Sequence, residues 1–460
     1  MVFGFQGDNG EDREGGLRGI MDRRIHVDYL ARVEGEGGLD VFIEDGKIKD
    51  LRLNIFEPPR FFEGWLRGRS YMEITDLTAR ICGICPVAYQ VSGSNAVENA
   101  FGAEITKEIR ALRRLLYLGE YIESHSLHVY LLAAPDFLGY ESAISMAKDH
   151  PDVVKRGLRM KRLGNDLMTV IGGREVHPVS PRPGGFYRAP ERGELEPFLP
   201  RLSEGLEDAI WTVKFVSKFD IPDLTRDIEF VALRHEEEYA IVDGRIVSNK
   251  GIDITPDKYD ETFEEVQVPY STSFHSIVRG RGEYFVGPLA RVNLNMDKLS
   301  REAKMALKEC GIPFPNSNPF TSIVARAIEL VQAMEESIQI ISSYEKPDPP
   351  YVKLRPRESV GYGVSEAPRG ILYHSYKFDE EGRILYAKIV SPTAQNQRQI
   401  EADLWEWVPR VIDLPIEEAT LKCEMAIRNY DPCISCSCHF LRLRIHGRSL
   451  HEDGTKTLSD

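Results

Sequence analysis

The chain has 460 residues, 42% of them hydrophobic and 28% charged, and carries a formal net charge of −14. That is an ordinary globular composition, long enough for a large core or for two or three domains by length alone. An acidic balance argues against nucleic acid and against anionic membranes as partners. No apolar run approaches the roughly 18 residues that a membrane span needs.

In chain order, residues 1–24 are rich in Gly, Asp, Glu and Arg and read as a flexible N-terminal tail with no apolar signal-peptide core. From His26 to Phe56 apolar residues alternate on either side of Asp45-Gly46, which predicts a hairpin with one slip in register. A glycine-broken loop, Ala31 to Gly37, precedes it and holds Glu34 and Glu36. After Pro58-Pro59, Arg60 to Arg69 reads as a short helix containing Glu63. Helical spacing predicts a long helix over Ile105 to Leu132 and another over Val153 to Ile171, stopped by Gly172-Gly173. Arg174 to Gly185, with His177 and three prolines, has no regular pattern and reads as a functional loop.

Further helices are expected over Glu191–Lys218, Leu299–Cys310, Ser322–Ile341, Gln399–Trp407 and Ile416–Arg428. A second hairpin is expected over Tyr239–Val247, and strands at Ile371–Lys377 and Ile384–Ser391. With no repeat or clean linker, residues 25–439 read as one interwoven domain of α+β class, predominantly helical, with small peripheral sheets and hairpins.

Seven cysteines are present, five of them in two tight clusters, which is no disulfide framework. Cys82 and Cys85 form one Cys-x-x-Cys; Cys433 and Cys436 form another near the C-terminus, followed by His439. Such spacing lets both sulfurs of a pair face one ion at about 2.3 Å. Four thiolates suit a soft or borderline transition metal. From spacing alone a structural zinc site is the leading reading. Two features oppose it: most of the chain lies between the pairs, and Arg80, Asp431 and His439 put ionisable groups beside the thiols. Cys310 and Cys423 are isolated and read as small buried hydrophobes.

These residues resemble the large, catalytic subunit of nickel-iron hydrogenases. The resemblance is carried by Arg80-Ile-Cys-Gly-Ile-Cys85 and Asp431-Pro-Cys-Ile-Ser-Cys-Ser-Cys-His439, with Arg32-Val-Glu-Gly35, Glu63 to Arg69, Gly172 to Pro178 and Glu366-Ala-Pro-Arg-Gly370 in family order between or before them. The variant at Arg32 to Gly37 and the run Cys82 to Gln90 resemble the cytoplasmic, NAD(P)-linked and sulfhydrogenase-like branch.

The resemblance implies that Cys82, Cys85, Cys433 and Cys436 bind nickel, and that Cys85 and Cys436 also bridge to an iron bearing cyanide and carbon monoxide. It implies reversible heterolytic cleavage of H2, with Cys433 as the first base and Glu34 as the proton relay. Arg369, after Pro368, would lie over the open side of the metals and be held by Asp431. Thr393 would hydrogen-bond a cyanide, although a turn hydroxyl bonding its own backbone is as good a reading. Glu63, the carbonyl of Ile389 and His439 would hold a magnesium ion. Read alone, Glu34 and Glu63 would be solvated carboxylates and Arg369 a surface arginine.

The resemblance further implies cleavage after His439 by a maturation endopeptidase, releasing residues 440–460. It implies an iron-sulfur small subunit and, beyond it, flavin- and NAD(P)-binding diaphorase subunits. A relative of the quinone-binding subunits that share this fold is the other reading; those lack the four cysteines. Three positions depart from the common pattern: Tyr89 and Glu36 stand where histidines are usual, and Ser124 where an aspartate is. Cys438 is an extra thiol beside the site.

Overall fold

A computed structural model describes residues 23–438, together with the backbone of Arg444–Ile445 and Arg448–Ser449. His439, most of 440–460 and residues 1–22 lie outside the described residues, so the expected cut after His439 and the tail are not addressed by it. The expected tail boundary moves by two residues, because Arg23 and Arg24 already belong to a strand.

The first sheet is antiparallel: β1 (Arg23–Val27), β2 (Gly37–Glu44) and β3 (Lys47–Ile55). Its tight turn is Asp45-Gly46, both at positive φ, and a bulge at Phe42/Ile43 accounts for the slip in register. Leu39, Val41 and Ile43 are buried on one face.

The helical frame consists of α1 (Pro86–Phe101), α2 (Lys107–Ser126), α3 (Pro151–Gly172), α4 (Phe198–Val216), α5 (Ser322–Ser342), α6 (Pro392–Val411) and α7 (Ile416–Arg428). α2 is the centre: it lies against α3 and α5, and α5 against α4. Thr106 caps α2 by accepting the amide of Ile109. The expected helix over Ile105–Leu132 is present in extent, but its last part, Leu127–Ala133, is π-helical, a form often found at functional sites. α3 stops as expected, with Gly173 in the left-handed region at φ 87°.

A second antiparallel sheet carries β4 (Ser359–Ala367), β5 (Gly370–Phe378) and β6 (Ile384–Val390). Its β4 lies directly on α1. A Cβ at Gly363 would fall 2.1 Å from the carbonyl oxygen of Ser92, so backbone meets backbone there. This contact sets the distance between α1, which follows Cys85, and the Glu366–Arg369 corner.

Three expectations are corrected. Tyr239–Val247 is not a hairpin: Arg245–Ser248 pairs instead with Val231–Arg234. The Tyr239–Val242 stretch is recruited by distant groups, since the Arg114 guanidinium donates to the carbonyl of Tyr239 and the backbone amide of Glu366 to that of Ile241. The helix expected over Glu191–Lys218 is broken at Pro197 into Arg192–Leu195 and α4. The helix expected from Gln399 starts at Pro392, capped by the Ser391 hydroxyl, so Thr393 sits in a first helical turn rather than a free turn.

Two apolar cores meet at the C-terminal cysteine loop. Cys433 and Cys436 belong to the core built on α1 to α5, whereas Ile434 and Cys438 belong to the core under the first sheet. The loop is therefore clamped from both sides.

Candidate metal centre

Cys82 lies after the short helix Ile74–Ala79, and Cys85 is the N-cap residue of α1. The loop after α7 delivers Cys433 and Cys436. It is stitched to the N-terminal loop by a parallel bridge between Glu34 and Cys433, where the amide of Ile434 donates to the Glu34 carbonyl at 2.8 Å. The result brings four sulfurs together although 351 positions separate the two pairs: Cys82–Cys433 3.4 Å, Cys85–Cys436 3.7 Å and Cys433–Cys436 2.9 Å. All four ligand atoms lie within 4.8 Å of one another, and all four cysteines are buried.

Packing four acids together in a dry site forces them to share charge. The Cys82 thiol is held well below its usual range by hydrogen bonds from the other three thiols. Its sulfur also accepts the amides of Ile84 and Cys85 at 3.3 Å each. Burial pushes Cys433 and Cys436 up. A buried, all-sulfur donor set of this spacing fits soft or borderline metal ions.

Around the sulfurs the sequence-predicted residues assemble. The Cys433 thiol donates to Glu34 Oε2 at 2.9 Å, and the Ser435 amide donates to the same oxygen at 3.1 Å. Arg369 is buried; its Nε donates to the Asp431 carbonyl oxygen at 2.7 Å and its Nη2 to Asp431 Oδ1 at 3.2 Å. Asp431 adopts φ 52°, a strained left-handed conformation that turns both acceptors to the same guanidinium. Arg369 Nη1 is buried with no hydrogen bond among the described residues, and the guanidinium lies within electrostatic reach of Cys433, Cys85 and Cys82. Thr393 Oγ1 accepts the amide of Cys433 at 3.1 Å, neither of the two bonds expected for it. Pro368 offers its carbonyl to Arg291 at 2.9 Å.

Glu63 is brought to Ile389, whose amide donates to Glu63 Oε1 at 2.7 Å. These two of the three expected ligands of a hard cation are thus adjacent, and the third, His439, lies outside the described residues. Tyr89 and Ser124 are buried, their hydroxyls making no hydrogen bond among the described residues. Glu36 is exposed. Cys438 is buried beside Thr272 and Ser437, with its thiol pushed by burial up to about 11, which leaves it inert.

Several supporting groups escaped sequence reasoning. Arg291 donates twice to Glu329, at 2.6 and 2.7 Å, and once to Glu366 at 3.0 Å, and so braces the Ala367–Pro368 corner. His125 adds a 2.8 Å bond to Glu329, and Tyr239 another at 2.6 Å. Glu120, fully buried, accepts the amides of Val87 at 2.6 Å and Ala88 at 3.2 Å at the start of α1. Arg60 donates to the carbonyls of Ile81 and Ser435. A lone charged residue in sequence carries no mark of such burial; only the long-range partner gives it away. A second cluster, His235, Glu238 and Asp243, could in principle hold an ion, but Arg110 and Arg114 already pair with its carboxylates.

The family model described as nickel-dependent hydrogenase matches residues 60–156 and 281–439. The chain is 37% identical over 422 residues to sulfhydrogenase 2 subunit alpha of Pyrococcus furiosus, covering 91% of this chain and all of the relative. It is 27% identical over 471 residues to the NAD-reducing hydrogenase HoxS subunit beta of Cupriavidus necator, covering 92% and 96% of the two chains. Among solved structures, an NAD+-reducing [NiFe]-hydrogenase in the H2-reduced state superposes with a TM-score of 0.82 at 25% identity, covering 91% of this chain and 99% of that one.

Proposed function

The chain belongs to the nickel-dependent hydrogenase family, as a catalytic large subunit acting on H2, and on that premise we propose roles for its residues. Cys82, Cys85, Cys433 and Cys436 would hold a nickel-iron centre, Cys85 and Cys436 serving as ligands of both nickel and an iron that would carry cyanide and carbon monoxide. When bound, that centre supplies the site at which H2 is split heterolytically and its two electrons are taken up.

Cys433 takes the proton, and its contact with Glu34 passes it on. Glu34 is half-buried, so its carboxyl can trade protons between a dry thiol and wetter surroundings. Arg369, pinned by Asp431, presents its free Nη1 as a fixed positive charge over the thiolates, and Pro368 fixes the corner that carries it. Thr393 spends its lone pair on the Cys433 amide and keeps its own hydrogen for an iron ligand such as cyanide. Glu63, the carbonyl of Ile389 and His439 would hold a magnesium ion.

The carrying observation is the convergence of four buried sulfurs from two distant motifs. A structural zinc site would need neither a carboxylate on one thiol nor a buried guanidinium with a free donor. A quinone-subunit relative would lack the thiols.

Electrons leave through a partner with iron-sulfur clusters. The other three cysteines, Cys310, Cys423 and Cys438, belong to no cluster among the described residues. Electrons would leave at Gly83, exposed between the two buried thiols of the first pair and beside the exposed Val176. Flavin- and NAD(P)-binding diaphorase subunits follow, in keeping with the NAD-reducing relative, and a cytoplasmic setting follows from that acceptor. A maturation endopeptidase cuts after His439. No helix among the described residues is long and apolar enough to cross a membrane.

Infrared spectroscopy of the anaerobically purified complex, with nickel and iron content, tests the assignment. Sharp cyanide and carbonyl stretches are expected; zinc without such bands overturns it.

A further inference from the structure

Two cysteine pairs from opposite ends of a chain have no covalent reason to sit at a fixed distance. Metal sites tolerate errors of only about 0.2 Å in their donor distances. Something must therefore hold the pairs in register, and one side chain touches both. Arg60 follows the rigid Pro58-Pro59 and is half-buried. Its Nη2 donates to the carbonyl of Ile81, the residue before Cys82, at 2.7 Å. The same nitrogen donates to the carbonyl of Ser435, between Cys433 and Cys436. Its backbone amide donates to the carbonyl of Cys438 at 2.8 Å. Its guanidinium lies 5.4 Å from the centre of the Phe62 ring, which limits its swing.

We propose that Arg60 is a positioning residue that sets the spacing of the two thiol pairs, one guanidinium nitrogen bridging the Ile81 and Ser435 carbonyls. This rests on the reading of the four thiols as one metal centre, without depending on which metals fill it. Arg60 touches no sulfur and takes no part in the reaction. Neighbouring side chains do not reach the first pair: Glu57 accepts from the Ser435 hydroxyl at 2.9 Å and from the Glu36 amide at 3.3 Å, and the Glu34 carboxylate accepts from Cys433 and Ser435. The bridge also depends on the rigid plane of a guanidinium, which fixes the directions of the two hydrogens on its Nη2. A lysine keeps the charge and most of the stem, but its ammonium is a point donor on a flexible chain.

Two measurements on Arg60→Ala and Arg60→Lys test it. In the first, cobalt(II) is titrated into the metal-free full-length chain, and the thiolate-to-cobalt absorption reports four-sulfur binding. Affinity is expected to fall at least about tenfold for R60A and several-fold for R60K, with unchanged far-UV circular dichroism. In the second, the complex is purified and its nickel and iron are counted, with the same order of loss expected. Wild-type cobalt affinity in R60K, or full nickel in R60A, overturns the proposal. R60K decides the matter if R60A does not fold. A wild-type complex free of nickel and iron, with cobalt affinity still lost in R60A, would overturn the hydrogenase centre and leave the positioning role standing.

Discussion

The thiol of Cys433 donates a hydrogen bond to the carboxylate of Glu34 at 2.9 Å across 399 positions of sequence. Among the described residues no other hydrogen bond joins a sulfur of the centre to a carboxylate, and this one gives a proton a single first step off the thiols. Glu34→Gln keeps the shape and still accepts the Ser435 amide, but it cannot carry a proton. Hydrogen–deuterium exchange is expected to fall by about a hundredfold or more with nickel content unchanged. Exchange at the wild-type rate would remove Glu34 from the proton route.

Arg369 is held at two points of one residue, the carbonyl and carboxylate of Asp431. Lysine cannot reproduce that grip. Arg369→Lys is expected to retain nickel and iron while H2 oxidation falls by about 100- to 1000-fold, the usual loss when a fixed electrostatic donor is removed. Steady-state rates on metal-normalised samples decide it; a less than threefold loss, on the order of 0.6 kcal/mol, would mean that any cation suffices there.

Thr393 satisfies the buried amide of Cys433. Thr393→Val leaves that donor without a partner, at a cost of about 1–3 kcal/mol, whereas Thr393→Ser keeps the bond. Denaturant unfolding should show the valine variant destabilised by that amount and the serine variant within about 0.5 kcal/mol of wild type. Equal stabilities would show that the amide finds another acceptor.

Glu329 and Glu366 compete for one guanidinium. Burial alone would raise both. The double bond from Arg291 instead holds Glu329 down at about 2, while burial leaves Glu366, bonded once, pushed up to about 7. A carboxyl whose folded value lies above its unfolded value stabilises the fold fully at low pH and loses that contribution as pH rises through the folded value. His125, pushed down by burial to about 4, works in the opposite sense only below its ordinary range near 6.5. The Glu366 contribution, about 3 kcal/mol in full, is lost as pH rises from its unfolded value to about 7, and His125 offsets most of that loss below about 6.5; net stability is therefore expected to fall between roughly pH 6.5 and 8 by on the order of 1 kcal/mol or less, and Glu366→Gln should remove that fall. Unfolding curves across this window check it; an unchanged slope in the variant would place the titration elsewhere.

What the sequence could and could not show follows from burial. The hairpin at Asp45-Gly46, the stop at Gly173 and α7 were legible because each shows a turn residue or a one-sided apolar face. α1 was not, because nearly every residue in it is buried and no polar stripe marks a period. β4 was hidden for the same reason, buried along most of its length against α1. The four cysteines were legible through their spacing, and Glu34, Arg369 and Asp431 only through the family resemblance; the structure brings them together. Thr393 was placed near the centre, but its bond to the Cys433 amide was not legible, since its helix starts earlier than its apolar pattern does. Arg60, Arg291 and Glu120 look in sequence like any solvated charge.

The parallel bridge between Glu34 and Cys433 has a consequence for the order of events on the ribosome. Cys82 and its future partner Cys433 are 351 positions apart, so at roughly 5–20 residues per second the first pair waits roughly 20–70 s for the second to be made. Throughout that interval two closely spaced thiols on a nascent chain are open to oxidation or to the wrong ion. Delivery of the right metals is thereby confined to the time after translation has nearly ended, when the last stretch of polypeptide closes over the first.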